Sequence, residues 1–101
     1  MYSLFYKKII NDMDAKMSID FDINGDCIDG YITIVFVGKK YGAALKMTGS
    51  FNSTTNGVVF ETEERNVKDL FSIKVSGNGK IDGENYVNNK FEFATTKLFL
   101  G

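Results

Sequence analysis

Residues 15–23 constrain the fold more than any other stretch. They read Ala-Lys-Met-Ser-Ile-Asp-Phe-Asp-Ile, apolar at every odd position and polar at every even one. A period of two places Met17, Ile19, Phe21 and Ile23 on one face of a strand, whereas a helix would scatter them around its circumference. One face must be buried and the other wet. Asn24-Gly25 follows at once, and both residues tolerate the positive φ of a tight hairpin turn. The next run, residues 28–37, is rich in β-branched and aromatic side chains. Ile28, Ile32, Ile34 and Phe36 share one face. Tyr31, Val35 and Val37 make the other face partly apolar, as in a central strand or one with a covered outer side.

The same pattern continues with interruptions. Residues 38–42 form a second turn, and Ala43, Leu45 and Met47 alternate with polar neighbours. Residues 49–57 read as a polar loop, residues 58–63 as a short strand, and residues 64–66 as a turn. Phe71, Ile73 and Val75 alternate again. Gly77-Asn78-Gly79 reads as a turn, residues 81–87 as a weaker strand interrupted by Asp82-Gly83, and Asn88-Asn89 as another turn. In residues 91–100 the apolar register moves from Phe91 and Phe93 to Leu98 and Leu100, which predicts a bulge near Thr95-Thr96. Residues 2–10 supply the first strand; a short amphipathic helix plugging a barrel is the alternative there. Short connections join antiparallel neighbours, because a parallel crossover needs about a dozen residues or more. The expectation is an all-β fold: an antiparallel eight-strand meander closing into a small barrel or lopsided sandwich, in one domain over residues 1–101. The end that carries residues 24–26, 51–56 and 77–79 is the expected partner or ligand surface.

Composition removes most chemistry. The chain has 101 residues, 12 Lys+Arg, 13 Asp+Glu, no His and a formal charge of −1. Near-neutrality argues against a nucleic-acid binder, which needs a basic excess. Without His, the commonest general base and metal ligand are gone. The single cysteine, Cys27, cannot form an internal disulfide or a cysteine-based zinc site. With no His to activate it, Cys27 is expected to be a buried or half-buried thiol. Residues 20–26 match the first half of a calcium loop, but the twelfth position counted from Asp20 is Tyr31, which has no carboxylate. Gly77-Asn78-Gly79-Lys80 lacks the Ser or Thr and the helix of a phosphate loop. No catalytic residue, metal or cofactor is therefore expected. The N-terminal apolar stretch is broken by Lys7 and Lys8, unlike a secretory leader, so a cytoplasmic location and no membrane partner are expected.

Charge is unevenly distributed. Residues 11–30 contain Asp12, Asp14, Asp20, Asp22, Asp26 and Asp29 against Lys16 alone, and residues 31–50 carry Lys39, Lys40 and Lys46 without an acid. An acidic hairpin attracts a basic partner and speeds encounter. The candidate partner-binding residues are Asp20, Asp22, Asp26 and Asp29, with Glu61, Glu63 and Glu64 as a second patch.

Three segments carry a resemblance: residues 21–31 (Phe-Asp-Ile-Asn-Gly-Asp-Cys-Ile-Asp-Gly-Tyr), residues 45–51 (Leu-Lys-Met-Thr-Gly-Ser-Phe) and residues 76–83 (Ser-Gly-Asn-Gly-Lys-Ile-Asp-Gly). Their I-x-G-x-x-I-x-G rhythm resembles small bacterial lipocalin-like barrels, over about residues 2–100. Members favour Trp in the seventh strand, where Asn85-Tyr86 stands here. Size and composition are also similar to those of immunity proteins of contact-dependent toxin systems. That resemblance implies a binder that occludes a cognate toxin, a basic nuclease in its sharpest form. The lipocalin resemblance implies instead a carrier of a small apolar ligand, although 9 Phe and 4 Met could fill the interior.

Overall fold

The structure, a computed structural model, describes residues 1–97. It is all-β, with eight antiparallel strands in one sheet: β1 (Tyr2–Ile10), β2 (Met13–Asn24), β3 (Cys27–Phe36), β4 (Gly42–Asn52), β5 (Gly57–Thr62), β6 (Arg65–Val67), β7 (Phe71–Asp82) and β8 (Asn85–Lys97). Residues 2–10 form a strand, not a plugging helix. Among the described residues no helix is long and apolar enough to cross a membrane.

Tight turns set the first ladders. Asn11 and Asp12 both take positive φ, 51° and 63°, between Ile10 and its partner Met13. Asn24 pairs with Cys27, so the next turn is centred on Gly25-Asp26 rather than Asn24-Gly25. Gly25 has φ 63°, and glycine at the first central position is the II′ preference. The polar stretch read as a loop over residues 49–57 is mostly strand, because β4 runs on to Asn52 and pairs with β5 from Gly57. The turn itself is tied by Asn52 Oδ1, which accepts from the Thr54 amide at 2.9 Å.

The second half differs from its sequence reading. Gly77-Asn78-Gly79 is not a turn but the middle of β7, and the chain reverses at Gly83, φ 64°. Asn88-Asn89 is not a turn either. Asn78 pairs with Lys90 and Gly79 with Asn88, so Asn89 is an extra residue, a bulge on β8. The bulge expected at Thr95-Thr96 is absent: Ile73–Thr95 and Ser72–Thr96 continue the ladder without a shift. Leu98 and Leu100 lie outside the described residues. The turns of one end are thus residues 24–27, 52–57 and 82–85.

Strand parity determines how the sheet ends. β8 pairs along all of β7, so β5 and β6 must share the other edge of β7, where they meet residues 76–80 and 71–73 respectively. They are two halves of one strand position, broken near Glu63 and Glu64. Thr62 bridges the break: its buried Oγ1 accepts from the Val75 amide at 2.9 Å. The sheet therefore has an odd number of ladder positions, and β1 and β8 run in the same direction. An all-antiparallel closure is geometrically barred, and β1 and β8 are not hydrogen-bonded to each other.

The sheet instead curls until its inner face packs on itself. Phe21 of β2 meets Tyr86 of β8 edge-on at 5.1 Å, Phe36 of β3 meets Phe71 of β7 at 5.8 Å, and Tyr6 of β1 meets Phe91 of β8 at 4.9 Å. Ile19, Ile32, Ile34, Leu45, Met47, Ile73 and Val75 are fully buried between them. Fully burying such a side chain contributes about 1.5–3 kcal/mol. Three inner positions are glycines closely covered from the neighbouring strand, two of them by rings. A Cβ on Gly77 would lie 2.8 Å from the Phe60 ring, one on Gly49 would lie 2.8 Å from Phe60 Cα, and one on Gly79 would lie 2.5 Å from the Tyr86 ring. Side-chain bulk here comes from the neighbouring strand, which permits tight coiling.

Candidate partner-binding face

The outer face is built by the other half of the alternation. Because each ladder is in simple register across this region, one transverse row can be traced through six strands. Asp22 lies opposite Asp29, Asp29 opposite Thr48, Thr48 opposite Glu61, Glu61 opposite Ser76, and Ser76 opposite Glu92. β4, through Thr48, therefore joins two acidic segments that are far apart in sequence. Neighbouring strands sit about 4.8 Å apart, so the row runs roughly 24 Å along the outer surface and bends with the curl of the sheet. Thr48, Glu61, Ser76, Lys90 and Glu92 line a shallow outer groove of about 490 Å³.

Cations are threaded through this row. The N-terminal ammonium of Met1 lies 3.3 Å from Asp22, Lys46 Nζ 3.1 Å from Asp29, and Lys90 Nζ 2.8 Å from Glu92. The hydrogen bond to Asp29, reinforced by its charge, raises the Lys46 ammonium above its ordinary value; Tyr31 and Glu63 add to this. Lys46 also lies 5.5 Å from the Tyr31 ring centre. The hydrogen bond and charge of Lys90 hold the Glu92 carboxyl below the usual range. All three pairs are exposed, so each is worth little in water. Among the described residues, Glu61 has neither an ion pair nor a side-chain hydrogen bond, and it sits at the middle of the row.

Each candidate from the sequence can now be located. Asp22, Asp29 and Glu61 lie in the row. Asp20 lies on the same face one pleat along β2, opposite Tyr31 on β3 and Ser3 on β1, and accepts from Ser3 Oγ at 2.6 Å. Glu63 follows Glu61 past the end of β5, close enough to Lys46 to act on it. Asp26 is at the hairpin tip, exposed, beyond the row; its carbonyl accepts from the Phe51 amide at 2.9 Å. Glu64 is occupied locally, accepting from the Ser72 hydroxyl at 2.7 Å across the strand break. Glu92 was missed: it stands alone in a strand next to Lys90, and only the β7–β8 register brings it into line.

Cys27 is exposed, contrary to its expected burial. It opens β3 opposite Ser50 on the outer face, because Ile28 takes the inward position. Asp20 and Asp22 alternate along a strand and do not wrap one point. Among the described residues no group of three or more His, Cys, Asp or Glu side chains converges. No family model, curated protein or solved structure matches this chain, so its function must be argued from this face.

Proposed function

We propose that this chain is a non-enzymatic protein-binding module whose acidic outer face docks a basic protein. In its sharpest form it is a cytoplasmic immunity protein that occludes a cognate bacterial toxin such as a basic nuclease. The observation that carries this reading is the acidic cluster Asp20, Asp22 and Asp29 on the solvent-facing side of the neighbouring strands β2 and β3. The row continues it around the curl to Glu61, with Glu63 beside it, and to Glu92. Rigid carboxylates at strand spacing can engage several cations at once without ordering a loop. Arginines of a nucleic-acid-binding partner pair well with such groups. The weak internal pairs to Lys46, Lys90 and the N-terminus exchange readily for stronger cations.

Two other readings lose support. A carrier needs room inside, yet Phe21, Phe36, Phe60 and Phe71 are each at most 2% exposed on the inner face, and the grooves described all open on the outer face. An enzyme using paired carboxylates needs two of them facing each other in a pocket, whereas the row lies on the open outer side of the sheet and Glu92 is paired with Lys90.

Co-expression with the product of the adjacent reading frame tests the reading. That product alone should arrest growth, the pair should not, and Asp22→Lys/Asp29→Lys/Glu61→Lys should abolish both protection and salt-sensitive binding. A harmless neighbour, or full protection by the triple variant, would overturn it.

A further inference from the structure

The outer face of β1–β3 changes character along its length. Towards the Gly25 hairpin it carries Asp20, Asp22 and Asp29. Towards the Asn11-Asp12 turn it carries Lys7 and Lys16, directly opposite each other in the β1–β2 register, with Val35 opposite Lys16 on β3 and the single acid Asp14 one pleat further along β2. Apolar side chains surround the lysines: Phe5 is 77% exposed, Ile9 73% and Val35 52%. Phe5, Lys7, Lys16 and Val35 line a groove of about 490 Å³. Like charges directly opposite on a ladder repel, and no ion pair among the described residues involves either lysine. An exposed apolar patch around an unpaired cation pair is a poor surface for a lone monomer.

The complement lies on the same face. Asp22 and Asp29 are also directly opposite each other, on the β2–β3 ladder, and their own cations, the N-terminal ammonium and Lys46, are held in exposed, exchangeable pairs. Each like-charge pair stands on two neighbouring strands, with cross-strand spacings that differ by only about 1 Å. Lys16 and Asp22 are separated along β2 by roughly 20 Å at about 3.4 Å per residue, with Phe5 and Tyr31 between the two ends. A half-turn about an axis in the plane of the sheet and across its strands keeps each strand over its counterpart, so Lys16 of β2 faces Asp22 of the other copy, with Lys7 and Asp29 one strand to either side. Phe5 and Tyr31, in the rows between the two ends, then lie at the centre, while Val35 faces the other copy's Asp29. We propose that two copies of this chain associate face to face, strands antiparallel, through the outer face of β1–β3. The contact is isologous and closed, with an aromatic centre and a charged rim. Three strands offer less than a standard interface, so association is weak and concentration-dependent. The proposal does not depend on the toxin partner, although a dimer would cover Asp22 and Asp29 and compete with it.

Sedimentation equilibrium of the full chain from about 5 to about 500 µM, in low and in roughly 0.5 M salt, tests this. A dimer should appear at the upper concentrations and weaken with salt. Lys7→Glu/Lys16→Glu and Asp22→Lys/Asp29→Lys should each be monomeric, and their equimolar mixture should form a heterodimer tighter than the parent. Phe5→Ser, at an exposed position that leaves the fold intact, should weaken the dimer by about tenfold or more. A parent that is monomeric throughout, a dimer indifferent to both charge reversals and to Phe5→Ser, or a mixture that stays monomeric would overturn the proposal.

Discussion

The β2–β3 and β7–β8 hairpins cover one core by different means. In β2–β3 the ladder is unbroken, and apart from Gly30 under Phe21 the inner face is filled by apolar side chains, Met17 opposite Ile34 and Ile19 opposite Ile32 among them. In β7–β8 the inner positions include Gly77 and Gly79. The rings of Phe60 and Tyr86 lie over them, and a bulge at Asn89 takes up the change in twist. The first arrangement gives a regular wall; the second gives curvature. Packing on the second side thus depends on absent side chains as much as on present ones.

The sharpest way to break that contrast is to add bulk under Phe60. Gly77→Val should destabilise by about 3 kcal/mol, because the new Cβ meets the Lys90 carbonyl and the Phe60 ring. Valine is otherwise a good strand former, so a denaturation midpoint equal to the parent's would show that glycine is not required there. A smaller effect of opposite sign is expected at the turn after β6. Lys68 and Asp69 hold φ of 46° and 57°, a conformation that costs a side-chain-bearing residue about 1 kcal/mol. Lys68→Gly should stabilise by up to that amount, read as a rise of a few degrees in Tm; an unchanged or lower Tm would refute the strain. The smallest effect concerns Glu92. Its folded-state carboxyl titrates below its ordinary value, so the pair with Lys90 stabilises above about pH 4.5, and that contribution disappears as pH falls through the lower folded value. In a carbon-detected NMR titration, Lys90→Met should move the Glu92 midpoint upward, and an unmoved midpoint would remove the pair.

The same contrast explains what could be read from the chain. In residues 13–36 every inner position is apolar or the single Gly30, so alternation alone yields strand and face, while the register follows from a turn at Gly25-Asp26, one residue beyond the Asn24-Gly25 pair that the sequence suggests. In residues 71–97 the glycines that admit the rings carry the local signature of a turn. Asn88-Asn89 looks the same whether it reverses the chain or bulges it. The difference is made by Phe60 and Tyr86, which act across strands and leave no trace in a local window. The site followed suit. The aspartates were legible because one hairpin holds them, Glu61 and Glu63 were legible only as a separate cluster, and Glu92 needed two ladders, β5–β7 and β7–β8, to fall into line with Glu61. Glu64, which looked like its neighbours, is turned to Ser72 by the break in β5–β6.

The break after β5 has a topological consequence. Because β1 and β8 point the same way, the beginning of one and the end of the other lie at opposite ends of the open side of the curl. A circular permutant could not join them with a short loop. It would need a tether running the length of the molecule, antiparallel to both neighbours, and such a tether would have the direction and reach to become the strand that seals the cylinder.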